Sequence, residues 1–217
     1  MSFAASSLIL DLDGTLIDSR PGILESFGTA VAKVFPGMEL DLSTVVLGPP
    51  LRRMFQTSFP AANGEEIEEL LRVFRGHYDR EGSLRTRVYD GAWEVLACCQ
   101  RRGIVLDIAT NKPLHISTSI LAHLKLDHYF RSVLALDSIQ PPFASKAEII
   151  RHLLKVHDLK AGEVLYVGDS AEDVLASAVC GIRFVWAAYG YGRLTNEEGR
   201  SFFGTISTLG DLTRLLG

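Results

Sequence analysis

The chain has 217 residues, of which 47% are hydrophobic and 22% are charged, and its formal net charge is −4. This length accommodates one sizeable core with a modest insertion rather than two large domains. The slight acidity and the absence of a Lys/Arg block argue against nucleic-acid binding, and no apolar run reaches the length of a membrane span. We therefore expect neither nucleic-acid nor membrane partners, and cytoplasmic residence by default, because the N-terminus has no signal-like segment.

Strands and helices alternate along most of the chain. A first strand ends at Leu10, a helix follows from about Pro21, and the stretch up to about Arg87 has little strand character. The periodicity then predicts helices near 91–101, 114–124, 146–156 and 171–180, and strands near 104–109, 133–136, 164–167 and 183–186. Such alternation implies an α/β fold with a doubly wound parallel sheet.

The first strand ends in two carboxylates, Asp11 and Asp13, which Gly14 and Thr15 follow directly. Ligands of open α/β sheets bind outside the carboxyl ends of the strands, so both acids are candidates for an active site. An Asp-Gly pair between hydrophobic residues is also a common hairpin-turn signal. A calcium loop is disfavoured, because a loop starting at Asp11 requires Gly at its sixth position and Glu at its twelfth, where this sequence has Leu16 and Gly22.

A second acidic strand end occurs at Gly168-Asp169, where the apolar run 164–167 stops. Between the two acidic sites, Thr110-Asn111 ends another strand and Lys146 opens a helical segment. Phosphoryl transfer through an aspartyl intermediate requires this set of groups: a nucleophilic carboxylate, a second acid, carboxylates for Mg²⁺, and positive charge near the phosphoryl oxygens. Taken singly, a Thr before a helix is also a good N-cap, and a lone Lys is usually a solvated surface group.

Four motifs in this order resemble those of the haloacid dehalogenase superfamily of phosphohydrolases, in its phosphoglycolate-phosphatase-like branch. They are Asp11-Leu12-Asp13-Gly14-Thr15, Thr110-Asn111, Lys146, and Gly168-Asp169 through Asp173. The resemblance spans nearly the whole chain. It implies a Rossmann-like core at residues 1–17 and 88–217, with a small helical cap at 18–87.

The resemblance also implies roles for individual residues. Asp11 would be the nucleophile that becomes an aspartyl-phosphate, and Asp13 the general acid and then the base. Mg²⁺ would be held by Asp11, Asp169 and the main-chain carbonyl of Asp13. Thr110 and the Asn111 amide would hydrogen-bond the transferring phosphoryl group, and Lys146 would offset the charge that Asp11 and the phosphate bring together. Asp173 would orient either Lys146 or a metal-bound water. The further expected residues are Thr15 and Asn111 for substrate binding, and Gly14 and Ser170 in support.

Two further segments are candidates for contact with substrate. In the cap, Gly48-Pro49-Pro50 precedes Arg52 and Arg53 and resembles the family's specificity loop, which makes Arg52 a candidate substrate-binding residue. The alternative is a simple helix-initiating turn with both arginines solvated. After the last predicted strand comes Tyr189-Gly190-Tyr191-Gly192, for which we favour a structural glycine turn over a place at the mouth of the site.

These expectations together predict a Mg²⁺-dependent phosphatase that acts on a small-molecule phosphomonoester, such as phosphoglycolate, a sugar phosphate or a nucleotide. Asp13 argues for phosphate esters over haloacids, because only an alkoxide leaving group needs a proton. A phosphomutase and a non-catalytic phosphate-binding protein stay open as alternatives. The odd set Cys98, Cys99 and Cys180 fits neither a disulfide framework nor a zinc site, so we expect reduced thiols. The pattern does not distinguish a monomer from a homodimer.

Overall fold

The computed structural model describes residues 5–194 and 202–216. The chain divides into two compact units by its internal contacts. One unit combines the described residues up to Asp18 with those from Arg87 onward, and the other is Ser19–Thr86. The sequence-based boundaries for core and cap differ from these by one residue at each junction.

The larger unit is built on a parallel sheet of six strands among its described residues, in the order β5-β4-β1-β6-β7-β8. A separate antiparallel pair is formed by β2 and β3. The strands are β1 (Ser7–Leu10), β2 (Ile17–Asp18), β3 (Arg87–Val88), β4 (Val105–Thr110), β5 (Phe130–Ala135), β6 (Val164–Gly168), β7 (Arg183–Ala187) and β8 (Gly204–Ile206). The predicted α/β fold with a doubly wound parallel sheet is confirmed.

The helices of the larger unit are α4 (Ala92–Arg102), α5 (Leu114–His123), α6 (Lys146–Val156), α7 (Ala171–Cys180) and the short α8 (Leu212–Leu215). Local signals explain where they begin and end. Ser145 and Ser170 cap the first turns of α6 and α7, and Gly181 ends α7 in the left-handed conformation that glycine adopts readily. Apolar residues on α6 and α7 pack with Ile9 of β1 in one buried cluster.

Strand β1 lies in the interior of the sheet, between β4 and β6. All four of its residues are buried, as expected of a strand covered on both faces. It pairs with β4 on one side and β6 on the other, with Leu10 opposite both Ile108 and Val167. The carboxyl ends of these three strands therefore meet at one edge. After β5 the chain crosses back past β1 to begin β6, which makes this edge the switch point where ligands of such sheets bind.

The two-stranded ribbon connects the larger unit to the inserted one. Ile17 pairs with Val88, and Asp18 pairs with Arg87. The sequence did not predict this ribbon, β8 or α8, because elements of two to four residues are too short to show a period. The predicted bounds of β5 were also wrong by a few residues: the strand begins at Phe130, and Leu136 lies in a 3-10 turn beyond its end.

The smaller unit is helical, with α1 (Arg20–Val34), α2 (Leu51–Ser58) and α3 (Gly64–Tyr78). Its core includes Phe27, which stacks on Phe55 with ring centroids 4.2 Å apart. Helix α3 starts with a capping box in which Asn63 and Glu66 satisfy each other's main-chain donors.

Two general expectations concern the whole chain. Within the described part of the chain, no helix is long and apolar enough to cross a membrane. Cys98, Cys99 and Cys180 are free thiols, as predicted, and the first two are buried.

Candidate active site

Asp11 follows the central strand directly, and its main-chain N–H donates to the carbonyl of Val167 in β6 at 2.9 Å. Its side chain is buried and accepts a hydrogen bond from Lys146 Nζ at 2.8 Å. Lys146 is the first residue of α6 and is itself only 3% exposed. The structure therefore brings together two residues that are 135 positions apart in the sequence.

Asp173 is the second partner of the same ammonium, since Lys146 Nζ donates to its Oδ1 at 2.6 Å. Tyr166 of β6 donates its hydroxyl to this oxygen at 2.5 Å. The other oxygen, Oδ2, accepts from Ser170 Oγ at 2.6 Å and from the main-chain N–H groups of Ser170 at 3.0 Å and Asp169 at 3.2 Å. Both oxygens are thus occupied by donors, so Asp173 anchors Lys146.

Electrostatics agree with this arrangement. Burial alone would raise the pKa of Asp173, but the charge and hydrogen bond of Lys146, with the hydrogen bonds of Ser170 and Tyr166, hold the pKa below its usual range. Burial would likewise lower the pKa of Lys146, yet Asp11 and Asp173 raise it. Both partners are therefore charged at neutral pH. Tyr166, buried beside Asp173, has its pKa raised and stays a neutral donor.

Asp169 follows β6 and is 4% exposed. Its Oδ2 accepts from the main-chain N–H groups of Tyr191 at 2.6 Å and Gly192 at 3.1 Å. A Cβ atom at Gly190 would overlap the Asp169 side chain, so the close approach of this loop requires glycine. The predicted glycine turn is present, with Gly190 N–H donating to Ala187 O at 3.1 Å. The turn also fixes Asp169, which the sequence did not indicate.

The same loop contacts the acidic turn after β1. The Tyr189 hydroxyl donates to the main-chain carbonyl of Thr15 at 2.7 Å, and the Tyr191 hydroxyl donates to Asp18 Oδ1 at 3.0 Å. Gly14 lies opposite Asp169 with a φ of +82°, and a side chain there would overlap the carboxylate. The loop after β7 therefore holds Asp169 by hydrogen bonds, and the turn at Gly14 lies close against its carboxylate.

Three carboxylates in this site offer oxygens within 4.8 Å of one another: those of Asp11, Asp169 and Asp173. When all three are ionised, they carry two more charges than the one ammonium of Lys146 offsets. Burial, opposed in part by Lys146, raises the pKa of Asp11 well above its usual range, and burial with the charge of Asp173 raises the pKa of Asp169 to about 6. A donor set of carboxylate oxygens with surplus negative charge fits a hard divalent cation such as Mg²⁺. Because Asp173 is occupied by donors, Asp11 and Asp169 are the carboxylates that suit it.

Asp13 forms a separate ion pair. Lys112 Nζ lies 3.2 Å from Oδ1 and 3.1 Å from Oδ2 of Asp13. The Lys112 side chain is 8% exposed and that of Asp13 is 24% exposed, so the carboxylate is the more accessible partner. Sequence reasoning missed Lys112, although it follows Thr110-Asn111 directly. It also missed Tyr166, a polar side chain inside an otherwise apolar strand.

The predicted substrate-binding residues of the core differ in accessibility. Thr110 ends β4 with 1% exposure, and its hydroxyl accepts from Lys112 N–H at 3.1 Å. Asn111 is exposed and donates its side-chain amide to Glu172 at 2.7 Å. The Thr15 hydroxyl is buried and has no hydrogen-bond partner within the part of the chain that the structure describes. An unsatisfied buried hydroxyl is costly, which is a reason to expect that a ligand completes it.

In the smaller unit, Arg52 of α2 forms an ion pair with Glu68 of α3. Both side chains are about half exposed or more, and Arg53 is exposed as well. Arg52 is therefore part of an exposed ion pair on the helical surface. This arrangement is closer to the simple helix-initiating turn than to a specificity loop.

Comparison with known proteins shows the family to which this fold belongs. Residues 8–187 match the model of the haloacid dehalogenase-like hydrolase family. The chain is 32% identical to tyrosine-protein kinase PtkA of Mycobacterium tuberculosis over 97% of its own length and 72% of that protein. It is 32% identical to a 5'-nucleotidase of Pseudomonas aeruginosa, covering 86% and 84%, and 32% identical to a phosphoglycolate phosphatase of Pseudomonas fluorescens, covering 88% and 73%.

Among solved structures, a predicted phosphatase from Clostridium acetobutylicum superposes with a TM-score of 0.81 and 28% identity, over 98% of both chains. The chain therefore belongs to the haloacid dehalogenase-like hydrolase family. Its similarity to the phosphoglycolate phosphatases places it in the branch that the four motifs predicted.

Proposed function

We propose that this protein is a Mg²⁺-dependent phosphatase that hydrolyses a small-molecule phosphomonoester through an aspartyl-phosphate. The observation that carries the proposal is the position of Asp11: a buried carboxylate at the end of the central strand, 2.8 Å from Lys146 and close to Asp169. The names of the 5'-nucleotidase and phosphoglycolate phosphatase relatives support the class of reaction. They differ in substrate, so the particular ester is a matter for assay.

In the first step, a carboxylate oxygen of Asp11 forms a bond to phosphorus, and the bond between phosphorus and the ester oxygen breaks. Asp13 gives a proton to the departing oxygen, which leaves as an alcohol. Lys146 holds Asp11 in place and offsets the negative charge that accumulates when a phosphate approaches a carboxylate. Asp173 keeps the lysine ammonium oriented.

In the second step, the oxygen of a water molecule bonds to phosphorus while Asp13 takes a proton from that water, and the bond between phosphorus and Asp11 breaks. The Asp11 carboxylate is regenerated and inorganic phosphate is released. One side chain thus acts first as acid and then as base. Mg²⁺, held by Asp11, Asp169 and the main-chain carbonyl of Asp13, would supply positive charge next to the phosphoryl oxygens and orient them.

The phosphoryl group needs hydrogen-bond donors around its other oxygens. We assign this role to the hydroxyls of Thr110 and Thr15 and to the amide of Asn111. Thr15 is the best supported, because its buried hydroxyl lacks a partner among the described residues. A bound phosphoryl oxygen would remove that penalty. Gly14 permits the tight turn that carries Thr15, and Ser170 supports Asp173.

The helical unit Ser19–Thr86 is proposed as the cap, which carries substrate selectivity rather than chemistry. Arg52 is its candidate substrate-binding residue. Since Arg52 pairs with Glu68 in the structure, a role in binding requires that pair to open for the substrate. Exposed ion pairs of this kind contribute only about 0–1 kcal/mol, so opening it is not prohibitive.

A second candidate function is phosphoryl transfer to protein tyrosine, which the similarity to tyrosine-protein kinase PtkA over nearly the whole chain favours. If Asp11 is the nucleophile, both functions pass through a phosphorylated aspartate. They differ in the group that finally accepts the phosphate, which is water for a phosphatase and a tyrosine hydroxyl for a tyrosine kinase. Incubation with ATP and with a phosphomonoester in parallel separates them, because a tyrosine kinase leaves phosphate on a tyrosine hydroxyl whereas a phosphatase passes the phosphate from its aspartate to water.

The test is phosphate release from a panel of phosphomonoesters with Mg²⁺ or with EDTA. Asp11→Asn should lower turnover by at least about 10³-fold, because it removes the nucleophile but keeps the size of the side chain. The exposed Asp127 offers a matched control, since Asp127→Asn makes the same change far along the chain from the motif. Metal-independent release, or full activity of Asp11→Asn, would overturn the proposal.

A further inference from the structure

Each carboxylate of the Asp11-Leu12-Asp13 motif has a lysine of its own. Lys146 contacts Asp11 and shares its charge with Asp173. Lys112 contacts Asp13, and the two form a pair with no net charge. This second lysine has no part in the mechanism derived so far.

The geometry of Lys112 restrains the orientation of the Asp13 carboxylate. Its ammonium lies almost equally far from the two oxygens, at 3.2 Å and 3.1 Å, so it holds the plane of the carboxylate rather than a single oxygen. Exposure is unequal: 8% for the lysine side chain and 24% for the aspartate. Asp13 is therefore restrained by a mostly buried ammonium while part of it stays accessible to a ligand or water.

The segment that supplies Lys112 is itself anchored. Its main-chain N–H donates to Thr110 Oγ1 at 3.1 Å, and its carbonyl accepts from Ser117 Oγ at 3.3 Å. Pro113 follows and opens α5. Lys112 thus lies between the end of β4 and the start of α5, and its position is set by two rigid elements.

We propose that Lys112 is a positioning residue for Asp13 and that it serves the hydrolytic half of the reaction. This inference rests on the proposed function. Asp13 must present a carboxylate oxygen to the water that attacks the aspartyl-phosphate, and the two contacts of Lys112 fix the plane in which that oxygen lies. In that step the water oxygen bonds to phosphorus, the bond from phosphorus to Asp11 breaks, and the water proton passes to Asp13. Lys112 holds the accepting carboxylate in place and exchanges no proton itself.

The experiment uses p-nitrophenyl phosphate, whose leaving group departs without a proton, so that the first step does not depend on Asp13. In Lys112→Met the first step should continue while hydrolysis of the aspartyl-phosphate slows by about tenfold or more, a part of the 10²- to 10⁴-fold that a general base contributes. Rapid-quench measurement should then show a burst of about one equivalent of nitrophenol, with phosphate that remains on the protein after acid quenching. Lys112→Arg, which keeps the charge, should restore part of the rate.

A double-mutant cycle separates positioning from a general loss of structure. Because Lys112 acts through Asp13, adding Lys112→Met to Asp13→Asn should slow hydrolysis no further than Asp13→Asn alone. Lys155→Met on the exposed face of α6 is the matched control and should show wild-type kinetics. Unfolding temperatures of all variants verify that they fold.

Two results would overturn the inference: additive rate losses in the cycle, or a Lys112→Met variant in which both steps slow equally without a burst. Failure of the proposed function is a different result. In that case the wild-type protein itself would release no nitrophenol and form no phosphoenzyme.

Discussion

At the scale of single residues, Asp169 has one carboxylate oxygen fixed by main-chain donors and lies in a cluster with surplus negative charge. Its pKa is raised to about 6 from 3.8, with burial as the main cause. A group whose pKa is higher in the folded than in the unfolded state stabilises the fold fully at pH values below its unfolded-state pKa. That stabilisation is lost as the pH rises through its folded-state pKa.

The metal-free protein should therefore lose stability between about pH 4 and pH 6, by about 3 kcal/mol from this group. We expect Asp169→Asn to be more stable than the wild type in EDTA at pH 7, and the difference to shrink toward pH 4. The asparagine carbonyl can still accept from Tyr191 and Gly192. Urea unfolding at both pH values, in EDTA, measures this.

Mg²⁺ should reverse the order at pH 7, since it binds the wild-type carboxylate and not the amide. The unfolding temperature of the wild type should rise with Mg²⁺, and that of Asp169→Asn should not. A wild-type protein that is insensitive to Mg²⁺ and to pH in this range would contradict the assignment of Asp169.

At the scale of elements, two helices begin with similar capping boxes but in different surroundings. In α3, Asn63 and Glu66 satisfy each other's main-chain donors at an exposed helix start. In α7, Ser170 caps Asp173, whose side chain also holds Lys146. The first box stabilises only its helix, whereas the second is also part of the site.

Alanine substitutions at the two caps should separate these roles. Asn63→Ala and Ser170→Ala should each lower the free energy of unfolding by about 1 kcal/mol. Only Ser170→Ala should also lower kcat, because it removes a donor to Asp173. Thermal unfolding and kcat measured on both variants test this, and equal kcat values would show that the Ser170 hydroxyl is dispensable for the site.

The loop after β7 gives a second prediction at this scale. Gly190→Ala should abolish the Mg²⁺-dependent rise in unfolding temperature, because the new methyl group would overlap Asp169 and displace it. Gly162→Ala is the matched control, since a Cβ there meets nothing within 4 Å. A retained Mg²⁺ response in Gly190→Ala would show that the loop adapts.

Periodicity and strand-end chemistry were sufficient to predict five of the six strands of the sheet, the main helices and the acids near the site. The bounds of α6 and α7 agree with prediction because each begins directly after a serine cap and keeps a helical period. The partnership of Lys112 with Asp13 was not predictable, because it joins side chains 99 positions apart and has no local pattern. The contacts of Tyr191 with Asp169 and Asp18 also join distant parts of the chain. The contact with Asp169 uses the main-chain N–H of Tyr191, which every residue type except proline has, so the sequence gives no sign of it.

At the scale of the whole molecule, the chain leaves the larger unit after Asp18 and re-enters it at Arg87. These two residues are paired directly across the antiparallel ribbon. The helical unit is therefore an insertion whose ends are already held together by the unit that carries the catalytic candidates.

Replacement of residues 19–86 by Asn-Gly should give a chain that folds cooperatively, because this dipeptide favours the tight turn that joins directly opposed strands. The shortened protein should keep the Mg²⁺-dependent rise in unfolding temperature, since Asp11 and Asp169 are retained. Its kcat/KM values for different phosphomonoesters should lie closer together than those of the full chain. Loss of cooperative unfolding, or unchanged selectivity, would argue against this division of roles.

The pairing of Asp18 with Arg87 also bears on how such a protein can diverge. A segment whose two ends lie opposite each other can be lengthened, shortened or exchanged during evolution without shifting the strands that bear the reactive groups. With the division of roles that we propose, new substrates could be recruited by altering the inserted gene segment alone, while the larger unit stays under separate selection.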